Sequence, residues 1–93
     1  MKIVWSAEAR KELRAIRRFI ARDSEYYAAR VVASIVERIE RAAEHPTQGH
    51  PVREFPERPL REVHEAPYRI IYQLSPDQLQ IVTVVHFKKM LRA

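Results

Sequence analysis

Ninety-three residues without a cysteine set narrow bounds: one domain with a modest core, no disulfide framework, no thiolate metal site and no cysteine nucleophile. Seventeen Lys and Arg against twelve Asp and Glu give a net charge of +5, which favours anionic partners such as nucleic acid or an acidic protein segment. The single glycine, Gly49, excludes a glycine-rich phosphate loop, and no apolar run is long enough to span a bilayer, so a soluble cytoplasmic protein without a membrane partner is expected.

Lys2 to Trp5 is short, apolar and β-prone, and Ser6 is a good N-cap, so a first strand hands over directly to a helix. From Ala7 to about Arg22, Ala9, Leu13, Ile16 and Ile20 recur at helical spacing, widened by Phe19. The other side carries Arg10, Lys11, Arg14, Arg17, Arg18 and Arg22. Because Glu8 and Glu12 are interleaved with them, these cations read as a solvated face rather than a nucleic-acid reader. Asp23-Ser24 offers a second cap. Tyr27, Val31, Val32, Ile35 and Ile39, with Ala42 or Ala43, mark a second stripe that ends at His45-Pro46, where proline disfavours continuation. Two helices with so tight a connection form an antiparallel hairpin.

Thr47 to Pro59 holds three prolines, at 51, 56 and 59, together with the only glycine, and reads as an ordered but irregular crossing. Leu60 to Lys89 then reads as three strands and a basic tail. Tyr68 to Leu74 and Leu79 to Phe87 are apolar on both faces, and Ser75-Pro76-Asp77-Gln78 between them has the chemistry of a tight turn, which predicts a β-hairpin. The predicted order is β-α-α-β-β-β: an α+β domain with the helical hairpin packed on one face of a small antiparallel sheet, the first strand lying at an edge or beside the later ones.

Four histidines, at 45, 50, 64 and 86, include no pair at the helical spacing a zinc site needs, so neither a metal nor another cofactor is expected. His45 and His50 flank the crossing as exposed residues. His64, between Glu62 and Glu65, reads as half of a local ion pair. His86 ends a buried strand directly before Phe87-Lys88-Lys89, where side chains emerge into solvent. Arg61 and Arg69 lie on strands and must reach water, an anionic ligand or a carboxylate such as Glu54, Glu62 or Glu65, because an unpaired buried guanidinium is too costly. If Arg61, Arg69, His86, Lys88 and Lys89 gathered on one rim, they would attract phosphate without specifying a reaction. Tyr68 and Tyr72 share a strand face with Ile70 between them and are expected under the helices.

Leu60-Arg61-Glu62, Tyr68-Arg69-Ile70-Ile71-Tyr72 and Val84-Val85-His86-Phe87-Lys88-Lys89, set after a helical hairpin that ends in His45-Pro46-Thr47-Gln48-Gly49, resemble the RelE/ParE superfamily of bacterial type II toxins, and its ParE branch in particular. The opening Ile3-Val4-Trp5-Ser6-Ala7-Glu8-Ala9 is similar to the way such toxins begin. The resemblance implies a toxin neutralised by a cognate antitoxin in a hetero-oligomer; nothing in the sequence marks the antitoxin-binding residues. It implies one of two mechanisms: poisoning of DNA gyrase, as in ParE-like members, or ribosome-dependent cleavage of messenger RNA, as in RelE-like ones. For the ribonuclease, Arg61, Arg69, His86 and Lys88 or Lys89 are the catalytic candidates. The tyrosine that nuclease members place near the C-terminus has no counterpart after Tyr72, and loss of a general acid or base costs about 10² to 10⁴ in rate. The gyrase reading is therefore preferred, with no catalytic residues and with Arg69, His86, Phe87, Lys88, Lys89 and Arg92 as target-binding candidates. A relative that only binds an antitoxin is a third, blander reading.

Overall fold

The computed structural model describes residues 1–92 and places β1 (Lys2–Trp5), α1 (Ala7–Ala21), α2 (Glu25–Glu44), a 3₁₀ turn (Pro46–Gln48), β2 (His50–Pro51), β3 (Leu60–Glu65), β4 (Tyr68–Leu74) and β5 (Gln78–His86) in that order. Both predicted caps form: the hydroxyls of Ser6 and Ser24 accept from the N–H groups of Ala9 and Tyr27, each at 3.0 Å. Ser75 and Gln78 exchange backbone hydrogen bonds at 3.0 and 3.4 Å, closing the β4–β5 hairpin around Pro76-Asp77. No helix among the described residues is long and apolar enough to cross a membrane.

The strands form one sheet in the order β1-β5-β4-β3-β2. Its antiparallel part runs from β5 to β2, while β1 pairs parallel with β5, so the sheet is mixed. The physical reason is the crossover: the helical hairpin carries the chain from β1 over one face, as a parallel neighbour requires. The irregular crossing also contributes a strand, because His50 and Pro51 pair with Glu62 and Arg61. Proline is tolerated there because β2 is the sheet edge.

Alternation sorts the side chains. Val63, Ile70, Tyr72, Ile81 and Val84 turn toward the helices and close the core with Ala9, Ile35, Ile39 and Ala42, with Tyr68 packed at its margin. Glu62, His64, Arg69, Ile71 and Val85 lie on the opposite, open face.

β1 stops at Trp5, opposite Ile81, and would leave the remainder of β5 with a bare edge. Residues at the start of α1 cover it. Ser6 donates from its N–H to Ile81 O at 3.0 Å and from its hydroxyl to Val82 O at 2.9 Å. The Glu12 carboxylate accepts from Val84 N–H at 2.9 Å and from the Thr83 hydroxyl at 2.7 and 2.8 Å. The partners of β4 step from Thr83 to Ile81, so Val82 is the extra residue of a bulge at the place where the edge changes partner.

The fully buried Tyr72 donates to Pro46 O at 2.7 Å and pins the 3₁₀ turn to the sheet. Gly49 lies against its ring, and a Cβ there would overlap the hydroxyl. Gly49→Ala is therefore expected to destabilise by about 1–3 kcal/mol in urea unfolding, as overpacking does. In a Tyr72→Phe background the Gly49→Ala penalty should shrink, because the atom most in conflict is gone; an unchanged penalty would place the cost elsewhere.

Candidate functional site

Arg69 occupies the centre of the open face, 9% exposed, with all five N–H donors directed at protein acceptors. Its Nη1 and Nη2 grip Glu54 at 2.7 and 2.8 Å, and Nε and Nη2 grip Glu62 at 3.1 and 2.6 Å. The remaining Nη1 proton reaches Lys89 O at 3.5 Å. Glu62 comes from β3, two residues from His64, the residue directly opposite Arg69, and so is a diagonal neighbour on the same face. Glu54 comes from the crossing and also accepts from Leu91 N–H at 3.2 Å, which ties the C-terminal tail to the cluster. One guanidinium thus joins β3, β4, the crossing and the tail.

The electrostatics follow from two carboxylates around one cation. The Arg69 hydrogen bonds hold the Glu54 carboxyl down at about 2, against the opposing effect of burial and with help from Leu91 N–H. Burial is the largest influence on Glu62 and pushes it up, but hydrogen bonds from Arg69 and His64 together exceed it and leave the pKa below the usual carboxylate value. Glu54 and then Glu62 raise the pKa of Arg69 further. His64 Nε2 lies 2.6 Å from Glu62 Oε1. With an ionised carboxylate as its acceptor, that nitrogen carries the proton. Phe87 packs edge-on against His64 with centroids 5.0 Å apart, and His50 lies 6.4 Å from His64. Together with Arg53 and Met90 these groups line an open groove of about 720 Å³.

The other sequence candidates are dispersed. Arg61 faces the helix side and donates to Thr47 O at 3.0 Å and Gly49 O at 2.9 Å, serving the 3₁₀ turn. His86 pairs with Tyr68 across the β4–β5 ladder, with their rings edge-on at 6.0 Å. It therefore stands on the helix side, opposite in sense to Arg69, and its Nδ1 accepts from Lys88 N–H at 3.1 Å. Phe87, Lys88, Lys89 and Arg92 are exposed on the tail. Lys89 and Arg92 rim a second groove of about 640 Å³, floored by Leu60, Ile71 and Val85. The rim imagined for Arg61, Arg69, His86, Lys88 and Lys89 does not assemble: two of the five serve the interior and a third lies on the other side. Glu54 and Glu62 were foreseeable as arginine partners; the histidine-phenylalanine wall and the edge-covering Glu12 were not. Among the described residues no group of three or more His, Cys, Asp or Glu is arranged to hold a metal ion.

The profile described as "ParE toxin of type II toxin-antitoxin system, parDE" matches residues 3–91. A candidate toxin of Sinorhizobium fredii, Y4kP, is 38% identical over 85 residues, 91% of this chain and 86% of that protein. Among solved structures, the chromosomal ParDE system of P. aeruginosa aligns at TM-score 0.77 and 20% identity, covering 92% of this chain and 95% of that one. The RelBE2 toxin–antitoxin complex of Mycobacterium tuberculosis aligns at 0.68 and 19% identity, covering 91% and 95%. A YoeB/ParE toxin of Agrobacterium tumefaciens aligns at 0.66 and 22% identity, covering 92% and 98%. At these identities the structural matches speak for the fold.

Arg69→Met should destabilise by about 3–5 kcal/mol, since it strands two buried carboxylates. The folded pKa of Glu54 is depressed from 4.5 to about 2, so its contribution is present above pH 4.5 and is lost as pH falls toward 2. Unfolding free energy measured from pH 6 to 2 should fall through that window in the wild type. In Arg69→Met the fall should be shallower, and equal slopes would contradict the assignment.

Proposed function

The chain belongs to the ParE toxin family of type II toxin–antitoxin systems, and from that premise we propose that it inhibits DNA gyrase, blocks replication without catalytic residues of its own, and is neutralised by a cognate antitoxin. The observation that carries the mechanistic choice is the saturation of Arg69. A ribonuclease of this fold needs cations free to stabilise charge on a phosphorane, together with an acid and a base beside it. Here the central guanidinium is spent on Glu54 and Glu62, and His86 stands on the other face. No tyrosine follows Tyr72. These features favour a binding surface over a reaction centre, and against RNA cleavage by Arg61, Arg69, His86 and Lys88.

The target-binding surface in this reading is the tail. Phe87, 43% exposed, supplies an apolar contact beside His64, and Lys88, Lys89 and Arg92 supply positive charge. Arg69 acts from beneath: with Glu54 it holds Lys89 O and Leu91 N–H and so fixes the direction of the tail. His86 shapes the turn through Lys88 N–H. An antitoxin partner is supported by the relatives, whose structures are described as ParDE and RelBE2 toxin–antitoxin assemblies.

The test is a cleavage assay with gyrase, supercoiled plasmid and ATP, read as linear DNA released by detergent and protease. Linear product should require both gyrase and this protein. His86→Ala should retain it, whereas Lys88→Ala/Lys89→Ala/Arg92→Ala should weaken it about tenfold, roughly 1.4 kcal/mol of binding. No linear DNA from a folded chain, with cuts instead in translated messenger RNA by primer extension, would sink the proposal.

A further inference from the structure

The arginine face of α1 has a different character in space from the one its linear order suggests. At about 100° per residue, Arg10, Lys11, Arg14, Arg17, Arg18 and Arg22 fall on one continuous arc; Glu8 borders its edge, one turn from Lys11, and Glu12 lies further round toward the core. The contacts agree: Glu12 is committed to Thr83 and Val84 on β5, and Glu8 lines the open-face groove beside it. All six cations are exposed, and only Arg17 is paired among the described residues, with Glu25 at 3.3 Å. No acidic residue of α1 shares the arc. By contrast α2 sets three arginines against four glutamates.

Helix stability does not account for this arrangement. Arg10-Arg14, Arg14-Arg18 and Arg18-Arg22 are successive like-charge neighbours at i, i+4, each opposing the helix. Only Arg18, in the last turn, and Arg22, at the C-cap, gain from the helix dipole; Arg10, Lys11 and Arg14 lie outside its reach. A polyanion laid along the arc would relieve all of these repulsions together.

We propose that the outward face of α1 binds the phosphate backbone of duplex DNA without reading sequence. Five of the six cations are arginines, the side chain suited to bidentate phosphate contact. Arg10 to Arg22 spans about 18 Å of helix axis, against which a duplex presents one phosphate per about 1.7 Å. One exposed aromatic ring, Phe19, borders the arc, with the Arg22 guanidinium 6.0 Å from its centroid, and a single ring does not make the row of stacking platforms that single strands use. This proposal stands on the helix face alone and does not rest on the gyrase reading, although a toxin acting where gyrase holds DNA would gain from it.

The experiment is anisotropy of a labelled 20-base-pair duplex of arbitrary sequence with the full chain, titrated at several salt concentrations and without gyrase. The five unpaired cations predict a slope of log K against log salt of about −4 to −5. Arg10→Gln/Arg14→Gln/Arg18→Gln removes the repulsive pairs, so it should melt no lower than wild type, while its slope becomes shallower by about 3 and its affinity drops at least tenfold. Lys2→Gln/Arg30→Gln/Arg41→Gln removes equal charge elsewhere and should keep the wild-type slope to within about 1. The proposal is overturned if the α1 variant binds as well as wild type, or if the control variant loses as much. It is also overturned if polyglutamate of equal charge displaces the duplex, which would assign the face to an acidic protein, or if the single strand binds more tightly. Because gyrase is absent, none of these outcomes bears on the cleavage assay.

Discussion

Arg69 is the constraint on which the open side of this protein depends. A guanidinium 9% exposed in the middle of a sheet face is tolerable only if every donor is met. Two carboxylates and a tail carbonyl meet them. The partners come from a strand, an irregular crossing and the tail, so satisfying one side chain ties three segments together. The helix side is held differently, by Tyr72 and the Ile35, Ile39, Ile70 and Ile81 core. The sheet thus separates an apolar face that makes the fold from a polar one that presents the tail.

That division bears on chemistry. In a reaction centre, cations and acid-base groups are left partly unsatisfied so that the substrate completes them. Here Arg69 is complete without a ligand and Arg61 is occupied by carbonyls of the crossing. The side chains left exposed around the groove include His50, Arg53, His64, Phe87 and Met90, with Lys88, Lys89 and Arg92 on the tail beside them. The same fold could serve contact or catalysis, so the state of these side chains outweighs the architecture.

Much of the fold was legible in residue periodicity. The stripes at Ala9 to Ile20 and Tyr27 to Ala42, the two serine caps and the Pro76-Asp77 turn are local signals, and each element forms where they place it. The parallel pairing of β1 and the covering of the β5 edge by Glu12 join residues more than seventy positions apart, which no local pattern encodes. For the site, Glu54, Glu62 and Glu65 were all open as arginine partners; the β3–β4 register puts Glu62 on the face of Arg69 and Glu65 on the other, and Glu54 lies in a stretch without periodicity. The α1 arginines look different along the chain and around the helix: in order they alternate with Glu8 and Glu12, whereas by angle they form one arc that Glu8 borders and Glu12 leaves.

The most direct measurement is NMR of the Arg69 side-chain Nε–H at neutral pH, with and without a short RNA. Saturation by Glu54 and Glu62 predicts a resolved resonance that exchanges with solvent only on global opening and does not move when RNA is added. Rapid exchange, together with a shift on RNA addition, would mean that the guanidinium is available to phosphate and would return the ribonuclease reading to the front.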